Sequence, residues 1–143
     1  MSLRITTSHW ADVAAHCESA YPNEGCGALL GRIESDQYWV TSVTPMRNAG
    51  QTRADWFELD PSELLAVEQS ARAAKTSVIG FFHSHPDAAC RPSQQDLERA
   101  WPVYSYLILS VANGRVSDYS SWRLCSSGTE FTVQVVEIVE EGE

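Results

Sequence analysis

The chain has 143 residues, 10 of them Lys or Arg and 19 Asp or Glu, for a formal net charge of −9. That length suits one domain with a single hydrophobic core. The acidic balance argues against nucleic-acid phosphates or an anionic membrane as partner and favours a basic patch on whatever the protein binds. No apolar run reaches membrane-span length and no signal-peptide core follows Met1; Cys17, Cys26, Cys90 and Cys125 show no Cys-x-x-Cys spacing, so a reducing cytoplasm is expected rather than a disulfide scaffold or a thiolate zinc finger.

In chain order, Ile5-Thr6-Thr7 leads to Ser8 as a helix cap, and Trp10, Val13, Ala14, Cys17 and Ala20 recur at helical spacing. An amphipathic helix ending near Tyr21-Pro22 is expected, with His9 and His16 in surface or packing roles. Ala28 to Ile33 and Tyr38 to Thr44 read as two strands joined by the polar turn Glu34-Ser35-Asp36-Gln37. Pro45 to Asp55 has loop composition, and Trp56-Phe57-Glu58-Leu59 reads as a short returning strand. Asp60-Pro61-Ser62-Glu63 starts a second helix with a capping Asp, Pro at the first position and an early Glu. This helix runs through Ala74 and precedes the apolar run Ser77 to Phe82, so a crossover connection of the α/β kind is expected. Tyr104 to Val111 is a buried strand, and Asn113-Gly114 a hairpin turn into Val116 to Leu124. Phe131 to Val135 alternates as a last strand, and Glu137 to Glu143, with four glutamates, is expected to fray. Residues 1–143 read as a single domain, without repeat or linker; exposed strand edges and scattered tryptophans permit a homodimer without specifying one.

The chemistry concentrates in Gly-Phe-Phe-His-Ser-His-Pro, Gly80 to Pro86, and Arg-Pro-Ser-Gln-Gln-Asp, Arg91 to Asp96. In a strand, residues i and i+2 share a face, so His83 and His85 leave the strand end on one side, before Pro86 stops it. Ser93 caps a helix whose first turn carries Asp96. Two imidazoles and a carboxylate, with a fourth position left to water, are a ligand set of catalytic zinc. Taken singly each element has a plainer reading: Ser93 and Asp96 as a capping box, the two histidines as structural residues. Their arrival together, with a strand, a Pro stop and a helix start in the right places, favours a zinc hydrolase site.

His83-Ser84-His85-Pro86, the seven residues from Pro86 to Pro92, and Ser93-Gln94-Gln95-Asp96 resemble the His-x-His, seven-residue, Ser-x-x-Asp signature of the JAMM, or MPN-plus, metalloproteases. Glu24-Gly25-Cys26-Gly27-Ala28-Leu29-Leu30-Gly31 is similar to that family's upstream glutamate segment, and the whole is most similar to its compact stand-alone prokaryotic members. The resemblance implies a single-domain α/β fold of the cytidine-deaminase-like (MPN/JAB) kind, a mixed β-sheet packed with helices. It implies Zn²⁺ held by His83, His85 and Asp96, Glu24 as the general base that returns its proton to the departing amine, and Ser93 as oxyanion donor. It also implies a substrate: amide or isopeptide bonds after the extended Gly-Gly tail of a ubiquitin-like or sulfur-carrier protein, a tail that could add to an exposed strand edge. Ser84 points away from the ligands and is given no catalytic part. Cys90, five residues past His85, is either a thiolate within reach of the zinc or, more simply, a plain loop thiol. Two other classes remain open. A zinc hydrolase of a small non-peptide amide is one, although the His-x-Glu and Pro-Cys-x-x-Cys pair of nucleobase deaminases is missing. A non-catalytic MPN-type scaffold is the other, against which the five site residues speak.

Overall fold

The structure, a computed structural model, describes residues 1–48 and 59–141. Its elements run β1 (Ser2–Thr6), α1 (Thr7–Ala20), β2 (Cys26–Glu34), β3 (Gln37–Met46), α2 (Pro61–Ala73), β4 (Ser77–Pro86), α3 (Gln94–Arg99), β5 (Ser105–Ala112), β6 (Arg115–Leu124) and β7 (Phe131–Val139). The sheet order is β1-β3-β2-β4-β5-β6-β7, and β7 pairs back to β1, so the sheet closes into a barrel. Pairings are parallel at β1/β3, β1/β7 and β4/β5 and antiparallel elsewhere. The fold is therefore a mixed α/β sheet packed with helices, as expected.

The two longer helices, α1 and α2, cover opposite faces of the central strands. α1 packs against all seven strands, and its Val13 and Cys17 join Leu29, Ile79, Phe82 and Leu107 in the larger core. α2 lies on the other face, where Val67 and Ala71 meet Ala28, Leu30 and Phe81. β4 is thus buried on both sides, which explains its near-continuous apolar sequence. The β2/β4 register steps from Leu29–Gly80 to Leu30–Val78, leaving Ile79 as the extra residue of a bulge. Past that step, alternation directs Phe82 and Ser84 toward α1 and Phe81, His83 and His85 toward the opposite face.

Three expectations change. The start of the chain is a strand rather than a lead into a helix: β1 ends at Thr6, whose Oγ1 accepts from the His9 amide at 3.4 Å, so Thr6 and not Ser8 caps α1. The acidic end does not fray at Glu137, because Ile138 packs on the core and Glu137 pairs with Arg4 at 3.5 Å as β7 runs beside β1. β3 extends to Met46, beyond the expected loop start at Pro45. Every described strand has two neighbours, yet β3 pairs with β1 only over residues 37–39 and β6 with β7 only over residues 121–124, so among the described residues the rest of each of these strands is paired on one side only. Residues 49–55 of the expected loop and the strand expected over Trp56 to Glu58 lie outside the described residues; Leu59, its last residue, forms an antiparallel bridge with Asn48.

Candidate metal centre

His83 and His85 sit at the C-terminal end of β4, where their Nε2 atoms are 3.2 Å apart. Asp96 comes from the first turn of α3: its Oδ1 lies 3.2 Å from His83 Nε2 and its Oδ2 3.2 Å from His85 Nε2. Tetrahedral zinc with bonds of about 2.0–2.1 Å separates neighbouring ligand atoms by about 3.3–3.4 Å. The three donors therefore already stand at nearly the spacing one such ion requires.

The backbone fixes the tautomer of His85. Its Nδ1 is 2.8 Å from the Ala89 carbonyl, which can only accept, so Nδ1 carries the proton and the neutral ring turns an Nε2 lone pair toward Asp96 and His83. The loop offering that carbonyl is clamped along its length. Tyr21 Oη donates to Asp87 at 2.6 Å, Ser110 donates to the Ala88 carbonyl, and Ser120 and Trp122 both donate to the Cys90 carbonyl. The Cys90 thiol interacts with Ser120 and Asp118 of β6.

Asp96 is held by the helix it starts. Its Oδ2 accepts from the Ser93 amide at 2.8 Å, and Ser93 Oγ accepts from the Asp96 amide at 3.0 Å, a reciprocal capping box. Burial alone would raise the Asp96 pKa, but the two imidazoles and the Ser93 amide outweigh it and hold the carboxyl well below the usual carboxylate range. Burial dominates at His83 and lowers its pKa. At His85 burial is opposed successfully by Asp96, the Ala89 carbonyl and Glu24, and the pKa is raised. Burial thus disfavours charge at His83, while the acceptors around His85 favour it.

Glu24 arrives from the turn between α1 and β2. It is buried, and a carboxylate oxygen lies within 4.8 Å of a ring nitrogen of each histidine. Asn48 Nδ2 donates to the Glu24 carbonyl at 3.0 Å, and the Gly25 amide donates to Ser84 Oγ at 2.8 Å. A Cβ at Gly25 would sit 3.1 Å from the Cys17 backbone, so glycine lets this turn lie against α1. Beside the histidines a cavity of about 500 Å³ opens, lined by Leu59, Leu64, Phe81, Tyr104 and Tyr106 and bounded by His83 and Asp96.

The structure thus brings His83, His85 and Asp96 together with Glu24 beside the histidines, while Ser93 joins them through its capping bonds to Asp96. Sequence reasoning passed over Ser84, Asn48 and the Ala89 carbonyl. The last has no residue-type signal, whereas the position of Ser84 between the two histidines was a signal set aside.

A closed mixed barrel with a His-x-His strand end facing a capped aspartate and a buried glutamate defines a metallopeptidase domain of the JAMM type. Residues 6–125 match the family model of prokaryotic homologues of the JAB domain, and the chain belongs to that family. A desampylase of Haloferax volcanii is 39% identical over 111 residues, 77% of this chain and 74% of that one. A CysO-cysteine peptidase of Mycobacterium tuberculosis is 30% identical over 127 residues, 87% of this chain and 85% of that one. The solution structure of a protein from Desulfitobacterium hafniense superposes with a TM-score of 0.85 at 33% identity, covering 97% of this chain and 94% of that one. No helix among the described residues is long and apolar enough to cross a membrane.

Proposed function

We propose that this chain is a cytoplasmic zinc-dependent peptidase or isopeptidase that hydrolyses the amide bond following the extended C-terminal tail of a ubiquitin-like or sulfur-carrier protein. The observation that carries the reading is the triangle of His83 Nε2, His85 Nε2 and Asp96 carboxylate at 3.2 Å spacings, with Glu24 buried beside it. The names of the Haloferax and Mycobacterium relatives support the substrate class.

His83, His85 and Asp96 would hold the ion. When bound, zinc supplies Lewis acidity that brings the pKa of a coordinated water down to about 7 and polarises a carbonyl. The Glu24 carboxylate lies within 4.8 Å of a ring nitrogen of each histidine, close enough to reach a water beside them. Glu24 would take the proton of an attacking water there and deliver it to the departing amine nitrogen. Ser93 Oγ spends a lone pair on the Asp96 amide, which leaves its own proton for the substrate oxygen as negative charge develops. The cavity beside His83, lined by apolar and aromatic side chains together with Glu68 and Arg99, suits an extended tail with apolar residues.

The test is elemental analysis of the purified protein, followed by incubation with a ubiquitin-like carrier fused through its Gly-Gly tail to a reporter. One zinc per chain, release of a carrier ending in free glycine by mass spectrometry, and loss of cleavage on chelation are expected. An intact fusion after incubation with zinc-loaded protein, or cleavage undiminished by metal removal, would contradict the reading.

A further inference from the structure

The outward-facing histidines flank a residue that works on the other side of β4. Ser84 is 1% exposed, and it exchanges two hydrogen bonds with Gly25: the Ser84 amide donates to the Gly25 carbonyl at 3.0 Å, and the Gly25 amide donates to Ser84 Oγ at 2.8 Å. The antiparallel β2/β4 ladder has its last regular pair at Cys26 and His83. One step further the side-chain oxygen of Ser84 accepts a bond that a backbone carbonyl accepts in a regular ladder. That substitution lets the chain leave the sheet at Gly25 and turn Glu24 toward the histidines while its own amide stays satisfied.

We propose that Ser84 is the positioning residue for Glu24, so that the tripeptide His83-Ser84-His85 fixes both halves of the site, two metal ligands on one face of β4 and the proton carrier's turn on the other. The inference rests on the proton-carrying role proposed for Glu24. Asn48 holds the Glu24 carbonyl from one side. Gly25 lies against Cys17 and Ala20 of α1, where an added Cβ would stand 3.1 Å from each. The turn is therefore gripped by helix, asparagine and serine, and both Ser84 bonds, one from its amide and one to its hydroxyl, tie the turn through the chain to the neighbouring metal ligands. A displacement of the general base by about 1 Å can slow the reaction by as much as about 100-fold.

The experiment is a double-mutant cycle of Ser84→Ala and Glu24→Gln on the zinc-loaded enzyme, with Ser84→Thr as the conservative variant. Ser84→Ala is expected to lower kcat about 10- to 100-fold with KM within about twofold, zinc content unchanged, and the visible spectrum of the cobalt-substituted protein unaltered. Ser84→Thr restores at least a third of the turnover, and adding Ser84→Ala to Glu24→Gln lowers kcat no further. An unchanged kcat in Ser84→Ala, a loss that follows zinc content or the cobalt spectrum, or losses that multiply in the double variant would each overturn the proposal. Full activity in Glu24→Gln alone would instead remove the underlying role of Glu24, so the two failures are distinguishable.

Discussion

Ser93 and Asp96 hold each other through two hydrogen bonds, Ser93 Oγ accepting from the Asp96 amide at 3.0 Å and Asp96 Oδ2 accepting from the Ser93 amide at 2.8 Å. The pair starts α3 and aims the carboxylate at both histidines, so cap and candidate ligand are one device. The two functions of Ser93 separate by substitution. Ser93→Ala should cost about 1 kcal/mol of stability as a lost cap, while Ser93→Gly should cost only a few tenths. Both remove the hydroxyl, and both should lower kcat by roughly 10²–10³. Thermal melts and steady-state kinetics on the two variants check this; a Ser93→Gly enzyme with near-normal kcat would reduce Ser93 to a cap.

The histidines should titrate apart in the metal-free protein. His85 is raised above its usual value, so the stability it contributes is present below about pH 6.5 and is lost as pH rises through its folded pKa. His83 is lowered, so its contribution has the opposite sense, present above about pH 6.5 and lost as pH falls. Asp96, held low, contributes stability that is present above about pH 4 and disappears only in stronger acid. Proton NMR should find one imidazole titrating on each side of pH 6.5, with His85 moving down in Asp96→Asn. Because ligands bind a metal in their deprotonated forms, apparent zinc affinity should begin to fall on acidification from a pH above 6.5. Affinity that stays flat down to pH 5.5 would contradict the raised value at His85.

Cys90 lies in the clamped loop with its thiol toward Ser120 and Asp118 and its carbonyl bound by Ser120 and Trp122. Burial, the largest influence, raises its pKa, which disfavours a thiolate. Cys90→Ala should keep zinc content and turnover, with and without oxidant. A change in either under mild peroxide would restore the thiol as a regulator of the site.

Gly27 is a stability position one strand away from the chemistry. A Cβ there would stand 2.3 Å from the Phe82 ring and 2.6 Å from the Thr44 carbonyl oxygen, inside the β2/β3 pairing. Gly27→Ala should destabilise by about 3 kcal/mol through overpacking. Urea unfolding is the check, and a change below about 1 kcal/mol would mean that the strands separate more easily than their register suggests.

Legibility in the sequence followed how local the physics is. His83, His85, Ser93 and Asp96 are fixed by strand alternation and a helix cap, so their spacing alone brought them together. Glu24 depends on a turn gripped by Asn48 and Ser84 from distant elements, and only resemblance pointed to it. The Ala89 carbonyl that sets the His85 tautomer has no residue-type signature at all. In the fold, β4 and β5 were legible as apolar runs. β1 was not, because five residues ahead of a helix read as its lead-in and only pairing with β3 and β7 makes them a strand. The acidic composition after Val136 hid the end of β7, where Glu137 answers Arg4 and Ile138 faces the core.

The central claim is that a carboxylate beside the metal ligands carries the proton in hydrolysis of the carrier's tail. Its most direct test is kcat of zinc-loaded Glu24→Gln on the Gly-Gly fusion, with zinc content measured on the same sample. The substitution keeps the shape of the side chain and removes its basicity, so kcat should fall roughly 10²–10⁴-fold with the metal retained. Turnover equal to that of the unaltered enzyme, at full zinc occupancy, would contradict the account.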